Sequence, residues 1–521
     1  MARSTLAEGP PPFRWTGRIA LPAVGPLALL AAAALYGSTP RGLGVNADSV
    51  IYYVSAGSLL DGRGFREPAK AMTHYGAGYP LLLASASFPS GDPIAGARLL
   101  HALLFGANVL LVGASAWIAS GRSPAAAFLA ALLFAVSERV WGIHAMAWSE
   151  APFVAFVLGA LLLLTAHQSR PRLAALAASA LLLGSAAATR YIGLVLFASM
   201  PLGLALGDRR PRGRKLRDAA ILLLLGSAAP GAWMIRNALE IGGPTDRALA
   251  LHPPAISEWR ILIHSAYGFL GFSDVSGWSE AIQLGFLAAA VALAAHAVRR
   301  ARRREGREPG PAERIRLHFV LFLAAHLLGF LASDFLFDAD IRLDWRALAP
   351  LHAFVVVIAV SLARQAASAL RAPCVWRAFA VVALFFLCIQ ADRTIAFASI
   401  TRRFGRGFTN DDWRRSEAMA YVRSIPESIG IYTEQWLAVR FLTGRDAAPL
   451  PRRVNAHSRL PEPRFEEEMA GITAKVERGE AVVLRFGADR EAAPADLPVL
   501  RRLADATVYG NAAVDGSFTA P

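Results

Sequence analysis

The chain has 521 residues, 55% of them hydrophobic, and its mean hydropathy of +0.40 is too high for a soluble protein of this size. A formal charge of +15 invites a nucleic-acid partner. The arginines, however, gather in short loops between apolar runs and not on an aromatic-interleaved patch, which orients a membrane protein and excludes nucleic acid. The two cysteines, Cys374 and Cys388, support neither a disulfide framework nor zinc spacing.

After a short Pro-rich head (residues 2–13), apolar runs recur at the length a helix needs to cross about 30 Å of hydrocarbon. Eleven spans are predicted, near 19–36, 95–119, 123–137, 151–166, 173–189, 191–207, 219–235, 281–298, 317–333, 347–363 and 377–392. The first run, Ile19–Tyr36, has no convincing cleavage site and reads as a retained span. Tyr79–Phe88 is apolar but short, and suits a helix lying in the interface or dipping into it.

With the amino terminus inside, Arg122, Arg170, Arg172, the run Arg209 to Lys215, the run Arg299 to Arg316, and Arg364, Arg371 and Arg377 all fall in cytoplasmic loops. This alternation predicts an all-α polytopic membrane domain over 1–392. The tail, 393–521, then lies on the extracytoplasmic side of a plasma (inner) membrane. Gly37–Ile94, Arg236–Glu280 and Asp334–Ala347 share that side, and the first, near 37–94, is the expected catalytic loop. In the tail, Asn410 is expected to cap a helix over Trp413–Val422. Ile429–Thr433 and Ala481–Phe486 read as strands, and Trp436–Leu442 and Arg464–Arg478 as helices, together a small α/β domain. No sustained internal repeat is visible, which weighs against the inverted-repeat transporters.

Asp48 is the leading catalytic candidate. It stands in Asn46-Ala47-Asp48-Ser49-Val50-Ile51-Tyr52-Tyr53, where the chain leaves the first apolar run, and a carboxylate at a bilayer surface is costly to keep. An inverting glycosyl transfer needs such a base to take the acceptor's proton; the plainer alternative is an Asp capping a helix that begins at Ser49. Glu150 opens the fourth span on the same side and is the second catalytic candidate, to support Asp48, bind a divalent ion with it or orient the acceptor; the plainer alternative is an acid favoured at a helix N-terminus by the macrodipole. Arg190, Arg236, Arg342 and Arg346 lie where spans emerge. A guanidinium there suits a phosphate group, while snorkelling or pairing with Asp340 and Asp344 is the alternative. Tyr52 and His74 are expected to meet substrate, and His252 and His264 share the outer loops. Asp338-Ala339-Asp340 matches a metal-and-nucleotide D-x-D pattern, but on the side away from cytoplasmic nucleotide sugars. There is no P-loop, dinucleotide fingerprint or nucleophile elbow.

Taken in order, these segments resemble the C-type superfamily of integral-membrane glycosyltransferases, which includes protein O-mannosyltransferases and bacterial aminoarabinose transferases. Asn46-Ala47-Asp48-Ser49 through Tyr52 looks like the acidic motif of their first outer loop. Thr73-His74-Tyr75-Gly76-Ala77-Gly78-Tyr79-Pro80 is similar to their Pro-Pro-Gly-Tyr-Pro segment, with Gly-Ala standing for Pro-Pro. Ala147-Trp148-Ser149-Glu150, Ala188 to Gly193 and Trp233 to Asn237 also match. Arg346 to Pro350 resembles the family's Arg-Tyr-Leu-x-Pro, with Ala347 in place of the aromatic. The resemblance implies a polyprenyl-phosphate sugar donor, a lipid, glycan or protein acceptor, and inverting transfer on the outer face. It makes Asp48 a general base or metal ligand, and leaves room for a divalent cation, Mg or Mn. The rival readings are a transporter or flippase for a lipid-linked sugar, expected to carry polar groups deep in its spans (here His101, Asn108 and His326), and a non-catalytic membrane scaffold.

Overall fold

A computed structural model describes residues 20–68, 70–88, 90–247, 249–251, 259–262, 264–265, 308–337, 344–455, 459–487 and 497–511. The expected span near 281–298, the D-x-D loop, Arg342 and His252 lie outside the described residues.

The chain forms helices α1 (Ala20–Ser38), α2 (Ala47–Leu60), α3 (Gly78–Ala86), α4 (Pro93–Ala119), α5 (Pro124–Ala135), α6 (Glu138–Ala145), α7 (Glu150–Ser169), α8 (Leu173–Thr189) and, after the 3-10 turn Tyr191–Val195, α9 (Leu196–Gly207). They are followed by α10 (Arg212–Ile241), α11 (Pro311–Leu336), α12 (Trp345–Ala369) and α13 (Pro373–Phe404). Every expected span within the described residues coincides with helix. Six of these helices are long and apolar enough to cross a membrane, seven if the bent pair α5–α6 forms one span. The protein is a multi-pass membrane protein with a mostly helical body.

Several helix starts follow the local chemistry. Asp92 and Ser123 cap α4 and α5, each with proline in the first turn, where the missing N–H costs nothing. The expected span 123–137 ends at Val136, and the chain turns by 61° into α6. The α6 break is held by Gln390 Oε1 accepting the Glu138 N–H (3.1 Å) and by Trp141 Nε1 donating to Ala135 O (2.7 Å). Hydrophobic drive between helices is weak in lipid, so close packing of small residues matters. At the α8–α10 crossing, a Cβ on Gly184 would stand 2.5 Å from Gly226 O.

Helix α13 does not stop at Asp392 but continues unbroken to Phe404, ending at Gly405 with φ of 79°. Arg393, Arg402 and Arg403 end the hydropathy signal without ending the helix, because no Gly or Pro intervenes. Asn410 does cap a helix, but only the four residues of α14 (Asp411–Arg414); Ser416 then caps α15 (Glu417–Ser424). The remaining elements are β1 (Gly430–Thr433), α16 (Trp436–Thr443), β2 (Ala448–Pro449), α17 (Phe465–Glu477), β3 (Ala481–Phe486), β4 (Val499–Arg502) and β5 (Ala506–Tyr509). The sheet order is β2-β1-β3-β5-β4, with β1 parallel to β2 and β3 and the other pairs antiparallel. Along β3, Val482 and Leu484 pack toward α15 and α16 while Ala481 and Val483 pack toward α17, the alternation of a strand covered on both faces.

This domain sits on the segment that runs from α1 to α4 (residues 37–94). Phe441 of α16 stacks on Tyr53 of α2 with centroids 6.3 Å apart, and Leu437 joins the apolar cluster around Tyr53. Between them, the peptide at Gly44–Val45 is sewn on both sides. Gly44 exchanges hydrogen bonds with Ala145 and Ala147, and Val45 with Arg406 and Phe408.

Candidate active site

The site begins with α2. Asn46 caps this helix, its Oδ1 accepting from Ser49 N–H (3.1 Å), Ser49 Oγ (2.9 Å) and Trp148 Nε1 (3.0 Å). The capping role is therefore taken, and Asp48 in the first turn is left free to point elsewhere. Its carboxylate accepts from the Tyr75 hydroxyl (2.8 Å) and from Arg346 Nη1 (2.6 Å).

Arg346 is presented by the first turn of α12, where Asp344 caps the helix by accepting the Arg346 N–H at 2.8 Å. Its guanidinium lies over the Trp148 ring, 4.1 Å from the centroid, and its Nε donates to Glu150 Oε1 at 2.5 Å. One planar fork thus bridges two carboxylates. Arg190, where α8 ends in extended backbone, pairs with the same Glu150 oxygen at 2.7 Å and donates to Ser149 Oγ at 3.0 Å. Ser149 in turn lies 3.4 Å from the Tyr52 hydroxyl.

Exposure separates the members. Glu150 is wholly buried, and its Oε2 has no hydrogen-bond partner; the side chains of Asp48, Arg190 and Arg346 stay 25%, 22% and 22% exposed. Two acids and two guanidinium groups make a neutral cluster with one sealed side and one open side. Burial raises the Asp48 carboxyl's pKa, but the charge and hydrogen bond of Arg346, the hydrogen bond of Tyr75 and the charge of Arg190 outweigh it, and the net shift is downward. Tyr75 moves upward, through burial and the adjacent Asp48 charge, and so remains a donor.

Around this cluster, Tyr52 packs edge-on against Tyr75 (5.1 Å) and Tyr79 (4.9 Å). The loop that carries His74 and Tyr75 is pressed onto the end of α8: a Cβ on Gly76 would meet Ala188 O at 2.2 Å, and one on Gly78 would meet Thr189 Oγ1 at 2.6 Å. Only glycine allows this approach, which sets Tyr75 beside the residues next to Arg190.

The expected site residues divide. Asp48, Glu150, Tyr52, Arg190 and Arg346 meet in one place. His74 lies beside Tyr75 and pairs with Asp246 at 2.9 Å. Arg236 is not in the cluster: its guanidinium donates to Met72 O (2.6 Å) and Phe65 O (3.2 Å), pinning the loop. Arg346 neither snorkels nor pairs with Asp344 through its guanidinium. Tyr75 and Trp148 were not singled out as site residues, though both stand inside the quoted motifs; Asp246 follows Gly242 and Gly243 with no pattern to mark it.

The resemblance leaves room for a divalent cation here. Among the described residues, no three His, Cys, Asp or Glu side chains are placed to hold an ion. Asp48 and Glu150 each commit an oxygen to Arg346, so this donor set does not fit a divalent cation.

No protein-family model matches the sequence, and no curated protein does. Solved structures do match. ArnT from Cupriavidus metallidurans bound to undecaprenyl phosphate superposes with a TM-score of 0.53 at 14% identity, covering 98% of this chain and 100% of that one. Its apo state gives 0.51 at 16%, covering 95% and 99%. The Archaeoglobus fulgidus oligosaccharyltransferase in complex with Zn and sulfate gives 0.56 at 12%, covering 88% and 68%. This chain therefore shares the fold of these structures along nearly its whole length.

Proposed function

We propose that this protein is a membrane glycosyltransferase that moves a sugar from a polyprenyl-phosphate donor to an acceptor on the extracytoplasmic face, with inversion. The observation that carries the reading is the cluster of Asp48, Glu150, Arg190 and Arg346, drawn from four separate helix ends to the open side of the fold. The four are brought together from distant parts of the chain and left open on one side, so the arrangement is better understood as chemistry than as glue.

In this reading the acceptor hydroxyl attacks the anomeric carbon and gives its proton to Asp48 as the carbon–oxygen bond to the phosphate breaks. The departing polyprenyl phosphate gains charge beside Arg346 and Arg190, whose N–H groups stabilise it. Glu150 holds both guanidinium groups in place, and Tyr75 orients the carboxylate. No step passes through a metal ion. The topology that goes with this has eleven spans, a cytoplasmic amino terminus in a plasma (inner) membrane, and a C-terminal domain (393–521 by sequence) that covers the catalytic loop near 37–94. The flippase reading is less well supported: His101 and Asn108, two of the polar residues deep in the spans, are engaged by Tyr79, His144 and Ala151.

The test is turnover of undecaprenyl-phosphate sugars by the purified protein. Release of undecaprenyl phosphate from one donor by the native chain, and its loss in Asp48→Asn, is the expected result. A panel that neither binds nor turns over would overturn the reading in favour of transport or scaffolding.

A further inference from the structure

Arg346 does two jobs that conflict. Resting on the donor reading above, it must stabilise the phosphate, yet in this structure its Nη1 is bound to Asp48 and its Nε to Glu150. The cluster is already neutral, so an arriving phosphate finds no surplus positive charge. Arg346 Nη2 has no partner among the described residues and can meet a phosphate first, but the phosphate gains Nη1 and the full charge of the guanidinium only by displacing Asp48.

The two carboxylates are not equally displaceable. Glu150 is sealed, shares its oxygen with Arg190, and cannot turn to water. Asp48 is a quarter exposed and holds a second partner, the Tyr75 hydroxyl, that would keep it in place after Arg346 let go. The weaker link in the fork is therefore the one to Asp48. The guanidinium faces the Trp148 ring, which gives it a flat apolar surface to pivot on while Nε stays with Glu150.

We propose that Arg346 is a donor-operated gate on the base: in the unloaded protein it masks Asp48, and the donor phosphate draws it away, leaving Asp48 Oδ2 open to the acceptor hydroxyl. The base is then unmasked only when a donor is in place. Binding becomes ordered, donor before acceptor, and a nucleophile arriving alone meets a carboxylate that is already occupied. By linkage, whatever favours the Arg346–Asp48 contact opposes phosphate binding to the same extent.

This makes an unusual prediction for a catalytic group, that removing it improves affinity. The experiment is binding of undecaprenyl phosphate, the chemical end of the donor, to the full-length protein in detergent micelles, comparing native with Asp48→Asn, Tyr75→Phe and Arg346→Ala. Asp48→Asn should bind about three- to ten-fold more tightly, as expected for losing a partly exposed ionic competitor. Tyr75→Phe, which leaves the carboxylate more dependent on Arg346, should bind more weakly than native. Damage to the fold would weaken both variants, so the opposite signs are diagnostic, and Tyr75→Phe carries the test if Asp48→Asn does not fold. If native binds and Arg346→Ala does not, while Asp48→Asn binds no more tightly than native or Tyr75→Phe no more weakly, the gate is wrong and the donor reading stands. If the native protein itself fails to bind, both fall.

Discussion

The two ends of α7 carry clusters of acids and arginines that look alike in composition and differ in how far apart in sequence their members lie and in how their acids are exposed. At the Ser169 end, His167 bonds Asp218 at 2.8 Å, Arg210 reaches both Asp208 and Asp218, and Arg217 donates to Asp218 at 2.8 Å. Both aspartate side chains there are fully buried and each contacts an arginine one or two residues away in sequence. At the Glu150 end, about 30 Å away by helix rise, the partners are 41, 196 and 298 residues apart. There one acid oxygen is unsatisfied and three of four side chains are open to solvent. A closed cluster of near neighbours ties helix ends together. An open cluster assembled across the whole chain, with capacity left unused, is arranged for something that arrives.

The contrast can be broken most sharply at Asp48. Asp48→Asn should lower transfer by roughly 10²–10⁴-fold, the range for losing a positioned base, with unchanged detergent-extracted yield and melting; near-normal turnover would place Asp48 with the structural acids. At the other end the effects should reverse. Asp218→Asn leaves His167 and Arg210 facing a neutral group in a sealed site, costing about 3–5 kcal/mol of stability, read as a lowered melting temperature with turnover per folded molecule near native. Next in size, Arg346→Lys keeps the charge but loses the two-pronged fork, and should raise the KM for donor about ten-fold, less than Arg346→Ala does.

The pH response sharpens the picture further. The Asp48 pKa lies below its ordinary 3.8 in the unloaded protein. A depressed carboxylate contributes stability that is complete above the unfolded value and is lost as pH falls through the lower folded one. The acid limb of kcat/KM, which reports the free enzyme, should therefore fall below pH 3.8. The limb of kcat, which reports the loaded enzyme with Arg346 drawn off, should lie higher; coincident limbs would argue against the gate. The smallest expected effect is that of EDTA, which should leave turnover unchanged, since Arg346 occupies the position between the two acids.

Much of the open cluster was legible because hydropathy breaks where chains leave lipid, and Asp48, Glu150, Arg190 and Arg346 each stand at such a break. Arg236 stands at one too, and its guanidinium meets the Met72 and Phe65 carbonyls: a break marks an exit, and says nothing about whether a guanidinium there meets a ligand or the backbone. The partners of Asp48 depend on tertiary contact across most of the chain, which periodicity does not carry. Tyr75 could be noticed only through the glycines that press its loop onto α8. In the C-terminal domain, β1 and β3 read clearly as apolar runs, whereas β4 (Val499–Arg502) is half arginine and an edge strand, and β2 is too short to show a period.

The separation of 298 residues between Asp48 and Arg346 also has a meaning in time. At roughly 5–20 residues per second of synthesis, Asp48 leaves the ribosome about 15–60 s before the arginine that will neutralise it. The early helices must find their places before that ion pair exists, with positive charge in the loops between them setting their orientation. The cluster therefore cannot form before α12 is made, and any transfer it performs waits for the membrane body up to that helix.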